Sequence, residues 1–361
     1  MPDKESISRL TTDAIDLLQQ LISIQSFSKE EDGTANAISQ FLSSHNIDFR
    51  RKGNNIWAYN KNFDPAKPTI LLNSHHDTVK PNPGWTKDPF KPEIQDGKLY
   101  GLGSNDAGGC LVSLIATFRY FYDKNDLPYN IAVAATAEEE NSGFNGIESI
   151  LEDLGNIDLV IVGEPTKMQM AIAEKGLLVL DCVAHGKTGH AAREEGDNAI
   201  YKALKDIEWF RDYRFEKVSQ FLGPVKMTVT VIKAGEQHNV VPNECHFVVD
   251  IRLTDQYNHQ EVIGIIRQHV QSEIKPRSTR LKPSFISPEH PIVKAGLEMG
   301  LTTYGSPTSS DQSVIPYTSI KIGPGDSARS HTADEFIYLK ETEDGVGKYV
   351  EILERMMGLQ I

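Results

Sequence analysis

The chain has 361 residues, which exceeds one average domain and predicts two domains with a sizeable hydrophobic core. A hydrophobic content of 39% and a charged content of 24% are ordinary for a soluble globular protein. The formal net charge is -13 and the basic residues are scattered, which argues against nucleic acid or an anionic membrane as the main partner.

The N-terminal residues and the cysteines indicate a cellular compartment. Residues 1–6 contain no basic segment followed by an apolar stretch, so we expect no signal peptide. No apolar run reaches the length of a membrane span. Cys110, Cys182 and Cys245 occur singly, which is typical of buried thiols in a reducing compartment. We therefore expect a cytoplasmic protein.

The first half of the chain alternates predicted helices and strands. Thr12 or Asp13 is predicted to cap a helix that continues to Ile22, and further helices are predicted at residues 35–44, 111–121 and 146–151. Strands are predicted at residues 55–59, 69–73, 131–136 and 159–162. This alternation predicts an α/β fold with a mostly parallel sheet flanked by helices.

The pattern changes near Gly176. Residues 177–184, 225–232 and 247–253 are predicted to be strands, and residues 198–210 and 260–273 to be helices. We therefore expect a smaller α+β domain at residues 176–282, inserted between the two parts of a catalytic domain at residues 1–175 and 283–361. The second part begins with a helix at 292–299, continues with a strand at 318–322 and ends with an amphipathic helix.

Three consecutive carboxylates, Glu138, Glu139 and Glu140, follow the predicted strand at residues 131–136. Like charges at the end of a buried strand repel one another, and their desolvation is costly, so a cation is expected among them. Successive side chains point in different directions, so one carboxylate could bind a metal while its neighbour faces a substrate. The alternative is an acidic loop that opens a helix.

Other polar side chains follow predicted strands or lie in glycine-rich turns, and loops at the carboxyl ends of such strands converge on one crevice. Together with one of the glutamates they form a set of two imidazoles and three carboxylates: His75, Asp106, Glu140, Glu164 and His331. This set suits two divalent ions with one bridging carboxylate. Zinc is favoured, and cobalt or manganese would fit nearly as well. Singly, each residue has another explanation: a loop histidine for His75 or His76, a helix cap for Asp106, a strand end for Glu164 and a surface histidine for His331.

Eight segments in order give the chain a family resemblance. It resembles the zinc-dependent aminoacylase/carboxypeptidase-type metallohydrolases, which include acetylornithine deacetylase and succinyl-diaminopimelate desuccinylase. The chain departs from the family in having Glu138 in place of Asp, and Ala107-Gly108-Gly109 in place of Met-Lys-Gly. The matching segments are His75-His76-Asp77-Thr78-Val79, Gly103-Ser104-Asn105-Asp106, Thr136-Ala137-Glu138-Glu139-Glu140, Gly163-Glu164-Pro165-Thr166, Gly189-His190-Ala191, Asn239-Val240-Val241-Pro242-Asn243-Glu244, Asp250-Ile251-Arg252 and Ser330-His331-Thr332-Ala333-Asp334-Glu335.

The resemblance implies a role for each metal ligand. His75 and Glu164 would hold one ion, Glu140 and His331 the other, and Asp106 would bridge them.

It also implies roles for residues around the ions. Asp77 would accept a hydrogen bond from His75 and fix its tautomer, and Glu139 would be the general base. His190 in the inserted domain would stabilise the oxyanion, often from the partner subunit of a dimer, with a structural loop histidine as the alternative. Arg252, helped by Asn239, would hold a substrate α-carboxylate, unless Arg252 is simply paired with Glu244 or Asp250. A homodimer through the inserted domain is implied.

The predicted function is a metal-dependent amidohydrolase that removes an acetyl or succinyl group from an N-acyl-L-amino acid. N-acyl-ornithine of arginine biosynthesis is the first candidate substrate. The alternatives are a succinyl-diaminopimelate desuccinylase, an N-acetyl-lysine deacetylase, a di- or aminopeptidase of the same family, or a binding protein that has lost catalysis. Lys175, Arg193 or Arg329 could pair with a succinyl carboxylate.

Overall fold

The computed structural model describes residues 4–359. The chain divides into two compact units. The first comprises Met1–Ile172, Phe285–Tyr304 and Ser310–Ile361, and the second comprises Ala173–Ser284 and Gly305–Ser309. The assignment of catalytic, lid and dimerisation roles to the segments 1–175, 176–282 and 283–361 stays a prediction.

Eight α-helices and eighteen strands are found among the described residues. The helices are α1 (Lys4–Ile22), α2 (Asp32–Ser44), α3 (Gly109–Tyr122), α4 (Leu151–Leu154), α5 (Ala199–Asp212), α6 (His259–His269), α7 (Pro291–Glu298) and α8 (Leu339–Met356). The strands are β1 (Phe49–Lys52), β2 (Asn55–Tyr59), β3 (Thr69–His75), β4 (Glu93–Gln95), β5 (Lys98–Tyr100), β6 (Asn130–Thr136), β7 (Leu159–Val162), β8 (Met170–Glu174), β9 (Gly176–His185), β10 (Gly189–His190), β11 (Lys226–Ala234), β12 (Val240–Val241), β13 (Glu244–Leu253), β14 (Glu273–Pro276), β15 (Ser284–Phe285), β16 (Thr303–Ser306), β17 (Ser319–Lys321) and β18 (Phe336–Tyr338).

The first unit is built on a sheet whose middle is parallel. Its strand order is β1-β2-β6-β3-β7-β17-β8-β15, and β6, β3, β7 and β17 pair in parallel. Every residue of β3, β6 and β7 is buried, as expected for strands covered on both faces. Because these strands are parallel, their carboxyl ends lie at one edge of the sheet. The predicted fold class is confirmed.

The second unit is a four-stranded antiparallel sheet with the order β11-β13-β9-β14 and two helices, α5 and α6. Alternate residues of β9 and β13 are buried, and they form a core with the apolar faces of both helices. This alternation explains why the strands were predictable, since one face of the sheet packs on helices and the other does not. A separate two-residue ladder pairs β10 with β12.

Several elements differ from the prediction. Helix α1 begins at Lys4 instead of near Thr12 or Asp13, because Ile7 and Leu10 extend its buried stripe by two turns. Helix α6 ends at His269 instead of residue 273, and β14 begins at Glu273, the last residue of the predicted helix, because the segment pairs with β9. Strands β1, β4, β5 and β18 were missed because they are only three or four residues long and mostly unburied.

The described segments also bear on the predicted compartment. Cys110, Cys182 and Cys245 are buried free thiols, as expected. Between residues 4 and 359, no helix has the length and apolarity needed to cross a membrane. The cytoplasmic location stays a prediction.

Candidate metal centre

His75, the last residue of β3, is the centre of a buried polar cluster. The His75 side chain is 1% exposed, and its Nδ1 lies 3.0 Å from the carbonyl oxygen and 3.3 Å from Oδ1 of Asp77. These acceptors favour the tautomer in which Nδ1 carries the proton and Nε2 presents a lone pair. Within residues 4–359, Nε2 is buried without a hydrogen-bond partner. Nε2 faces the carboxylates of Asp106 and Glu164. Burial alone would lower the pKa of His75, but the carboxylates of Asp106 and Asp77 raise it, so this nitrogen requires either a proton or a cation from outside the chain.

The neighbouring His76 has a different environment. Its Nδ1 lies 2.8 Å from Oγ1 of Thr34, and its Nε2 lies 2.8 Å from the carbonyl oxygen of Asn54. Burial lowers the pKa of His76 to about 4, so the ring is neutral near pH 7. Both ring nitrogens are already engaged. The structure therefore brings His75, and not His76, into the cluster.

The acidic turn after β6 sends its three carboxylates in different directions. The Glu138 carboxylate accepts a hydrogen bond of 2.9 Å from the side-chain amide of Asn145. The backbone N–H groups of Glu139 and Glu140 each donate to Asp77, to Oδ1 and Oδ2 respectively, at 3.1 Å. Asp77 thus fixes both His75 and the turn that carries Glu139 and Glu140, as expected of a carboxylate behind a metal ligand.

Asp106 lies between the two imidazoles. Its Oδ1 is 3.5 Å from Nε2 of His75, and its Oδ2 is 3.5 Å from Nε2 of His331. Nε2 of His75 is also 3.7 Å from Oε1 of Glu164, and Nε2 of His331 is 3.0 Å from Oε2 of Glu140. The five residues predicted from the strand ends therefore meet, with one carboxylate oxygen of Asp106 towards each histidine.

The electrostatics of the cluster point to missing positive charge. Burial raises the pKa of Glu139 well above its usual value, and burial with the charges of Asp106 and Glu140 raises the pKa of Glu164 to about 8. The hydrogen bond to Glu140 raises the pKa of His331 to about 9. These carboxylates cannot all be ionised without additional cations beside them.

Two overlapping triplets of side chains have their candidate ligand atoms within 4.8 Å of one another, namely His75, Asp106 and Glu140, and His75, Glu139 and Glu164. Mixed nitrogen and oxygen donors suit divalent zinc, cobalt or manganese. The buried lone pair of His75 and the excess of carboxylates both fit such ions. The cluster is therefore a candidate two-metal site.

Three of the predicted site residues lie in the second unit. His190 lies on β10 and Asn239 directly before β12, and both are exposed; the Ala191 N–H donates to the Asn239 carbonyl oxygen at 3.0 Å. The guanidinium of Arg252 forms a bidentate pair with Asp250, at 2.8 and 3.1 Å. The structure thus gives Arg252 the partner that the sequence had left as an alternative.

Sequence reasoning missed two residues that support the cluster. The buried Asp311 accepts hydrogen bonds from Nδ2 of Asn73 at 2.8 Å and from Oγ1 of Thr136 at 3.0 Å. The hydroxyl of Ser28 donates to Oδ2 of Asp77 at 2.7 Å. Asn73 lies two residues before His75 on the same side of β3. A polar residue in this buried strand indicates a buried polar partner, and it was the sequence signal that could have pointed to Asp311.

Comparison with known families identifies the chain. The model of peptidase family M20/M25/M40 matches residues 71–355. The chain belongs to this family. Several relatives carry the name succinyl-diaminopimelate desuccinylase. The one from Wolbachia pipientis subsp. Culex pipiens (strain wPip) is 30% identical over 262 residues, 67% of this chain and 65% of the relative. The one from Xanthomonas campestris pv. campestris (strain 8004) is 24% identical over 380 residues, 96% of this chain and 100% of the relative. The chain thus spans just under two thirds of the first relative and all of the second.

Solved M20 structures share the fold. Aminopeptidase PepT from Bacillus cereus ATCC 10987 superposes with a TM-score of 0.79 at 18% identity, covering 96% of this chain and 98% of that one. The YXEP protein of Bacillus subtilis, described as a dinuclear metal binding peptidase, superposes with a TM-score of 0.73 at 16% identity, covering 99% and 100%. Identities this low support a shared fold and nothing finer.

Proposed function

We propose that this M20 protein is a metal-dependent amidohydrolase that removes the succinyl group from an N-succinyl amino acid, with succinyl-diaminopimelate as first candidate. The observation that carries the chemistry is the buried cluster around the unpartnered Nε2 of His75. The choice of substrate follows the names of the relatives, which favour the alternative prediction over N-acyl-ornithine and arginine biosynthesis.

The proposed cofactor is a pair of divalent ions, with zinc favoured. His75 and Glu164 would hold one ion, Glu140 and His331 the other, and Asp106 would bridge them. The facing oxygens of Asp106 support this arrangement. When bound, two such ions acidify water and polarise an amide carbonyl.

Glu139 is proposed as the general base. It accepts a proton from the attacking water and later gives that proton to the departing amine. Its raised pKa supports the first half of this role, because a carboxylate with a higher pKa is a stronger base towards the attacking water. Asp77 would keep the base in place through the backbone N–H of Glu139. It would also hold the tautomer of His75.

The roles of the second unit are proposed on the resemblance. His190 would stabilise the oxyanion, and Arg252 with Asn239 would bind the α-carboxylate. Arg252 would then share its guanidinium between Asp250 and the substrate. A homodimer through the inserted unit is part of the proposal. The family histidine that His190 matches often acts on the active site of the partner subunit.

A succinyl substrate carries a second carboxylate, which needs a cation. Arg329 is not free for this task, because it pairs with Glu341 at 2.7 Å and stacks on Phe336. Burial and the charges of Lys226 and Arg252 lower the pKa of Lys175. Lys175 is therefore the first proposed partner of the succinyl carboxylate, and Arg193, which is 3.9 Å from Glu195, is the other.

The test is a panel of N-succinyl- and N-acetyl-diaminopimelate, -ornithine and -lysine, and dipeptides, with released amine or amino acid as the readout. We expect the highest kcat/KM for succinyl-diaminopimelate. Lys175→Met should raise KM for succinyl substrates while leaving acetyl substrates unchanged. Preference for acetyl-ornithine, acetyl-lysine or dipeptides would replace the proposed substrate, and no turnover with any divalent metal would favour a binding protein.

A further inference from the structure

Glu335 is a buried carboxylate that the proposed reaction does not use. Its residue is 2% exposed, and it lies directly before β18. Its Oε1 accepts hydrogen bonds from the backbone N–H groups of Asn105 at 2.8 Å and Asp106 at 2.9 Å. Its Oε2 accepts one from the N–H of Gly103 at 3.2 Å. All three of these donors belong to the loop that carries Asp106.

That loop cannot satisfy these N–H groups by itself. Gly103 has a φ of +76°, and Asp106, with φ −119° and ψ 97°, is extended within the single π-helical turn at Ser104–Gly108, so the regular hydrogen bonding of a helix is interrupted there. Gly103 and Asn105 are buried, and buried N–H groups without acceptors are costly. A carboxylate with two oxygens supplies acceptors for three donors at once. The conformation of the Asp106 loop therefore depends on Glu335.

A second set of bonds ties the same two segments together. The Asn105 side chain donates to the carbonyl oxygen of Asp326 at 3.1 Å and accepts from the N–H of Asp326 at 2.9 Å. The backbone carbonyl of Glu335 accepts from the N–H of Gly101 at 3.0 Å. His331 lies between these anchors, at residues 326 and 335. The anchors thus set the separation of Asp106 from His331, whose nearest ligand atoms are 3.5 Å apart.

From this geometry we propose that Glu335 is a positioning residue. It holds the Asp106 loop against the His331 segment. The side chains of Asp106 and His331 can then both reach the ion that Glu140 and His331 are proposed to hold. The inference rests on the proposed metal-dependent function, but it concerns a residue that touches neither the metal nor the substrate. Carboxylates that orient metal ligands are typically worth about 10- to 100-fold in metal affinity, and we expect Glu335→Ala to weaken zinc binding by about that factor.

The experiment measures zinc affinity by competition with a chelating dye, together with the visible absorption of the cobalt-substituted protein. We expect Glu335→Ala to bind one equivalent more weakly and to change the cobalt d–d bands, which report ligand geometry. Glu335→Gln keeps an acceptor for Asn105 and Asp106, and should lie between Glu335→Ala and the unaltered protein. A structural role alone would lower the melting temperature without moving the cobalt spectrum.

Glu354 provides a matched control. It is a buried carboxylate on α8 that accepts hydrogen bonds from the Tyr120 hydroxyl at 2.8 Å and from Lys124 Nζ at 3.2 Å. Glu354→Ala should lower the melting temperature while leaving both zinc affinities and the cobalt bands unchanged.

The outcomes separate this inference from the proposed function. Unchanged zinc affinity and cobalt bands in Glu335→Ala would overturn the positioning role. If that variant does not fold, the same result in Glu335→Gln decides against it. Failure of the unaltered protein to bind two divalent ions would instead overturn the proposed function.

Discussion

Two groups of histidines and carboxylates in this molecule look alike by composition and differ in environment. The buried group surrounds His75, whose side chain is 1% exposed. The surface group lies on the second unit and comprises His185, Glu244, His246 and Glu273, whose side chains are 45–69% exposed. In it, Nε2 of His246 is 2.9 Å from Glu244, and Nε2 of His185 is 3.3 Å from Glu273.

The difference shows why residue types alone do not make a metal site. Charges on the surface group are solvated, and exposed pairs of this kind contribute little. In the buried group, His75 and the carboxylates around it are shielded from water, while His331 at the edge is 55% exposed. Carboxylates are in excess, and within residues 4–359 Nε2 of His75 has no hydrogen-bond partner. Burial with incomplete pairing distinguishes a candidate site from a set of surface ion pairs.

The largest expected effect comes from the proposed base. Glu139→Gln should lower kcat by about 10²- to 10⁴-fold while zinc content stays at two ions, because the amide cannot accept the proton. Glu138→Gln is the matched control, since its carboxylate bonds to Asn145 and should leave kcat within about 10-fold. Steady-state kinetics with metal analysis separates the two. Full activity in Glu139→Gln would contradict the assignment.

His76 sharpens the comparison, because it is buried yet fully hydrogen-bonded. The pKa of His76 is about 4 in the folded chain, compared with an ordinary value of 6.5. Between pH 6.5 and pH 4 the ring is therefore protonated in the unfolded chain and neutral in the folded chain. Its contribution to stability is present above pH 6.5 and is lost as the pH falls towards 4, by about 3 kcal/mol in all. NMR titration of the His76 ring should give a midpoint near 4. A midpoint near 6.5 would refute its burial as a neutral ring.

Asp77→Asn tests the support behind the buried group. The amide has a single acceptor oxygen for the His75 ring and the N–H groups of Glu139 and Glu140. We expect zinc affinity to fall by about 10- to 100-fold, with a similar loss in kcat/KM. Chelator competition measures the affinity. An unchanged value would show that Asp77 does not orient the cluster.

The smallest expected effect is in the surface group. The double variant His185→Ala/His246→Ala should change the free energy of unfolding by about 0.5 kcal/mol or less and leave zinc stoichiometry unchanged. Denaturant unfolding and metal analysis provide the two readouts. Loss of one equivalent of zinc in the double variant would show that the surface group binds metal, and would contradict the distinction between the two groups.

Much of the fold was predictable because the central strands of the first unit are buried along their whole length. The continuous apolar runs of β3, β6 and β7 mark strands covered on both faces, and the residues after them mark the site. His75, Glu140 and Glu164 could be selected because the parallel strands β3, β6 and β7 bring their carboxyl ends to one edge. Asp106 and His331 were selected from glycine-rich turns and from the family resemblance.

The rest depended on long-range contacts that leave no local pattern. Asp311 and Glu335 bind groups 175 or more residues away in sequence, through Thr136 and through the Asp106 loop. The pairing of Arg252 with Asp250 could be named only as an alternative, because charge pairs on a strand compete with substrate for one guanidinium. Substrate choice was the weakest prediction, since the strand-end residues fix the metal chemistry and not the acyl pocket.

The most direct test of the account is anomalous diffraction at the zinc edge from crystals of the zinc-loaded protein. The account predicts two peaks among His75, Asp106, Glu140, Glu164 and His331, with Asp106 contacting both ions. No peak in this cluster, or zinc bound instead by the surface group, would contradict it.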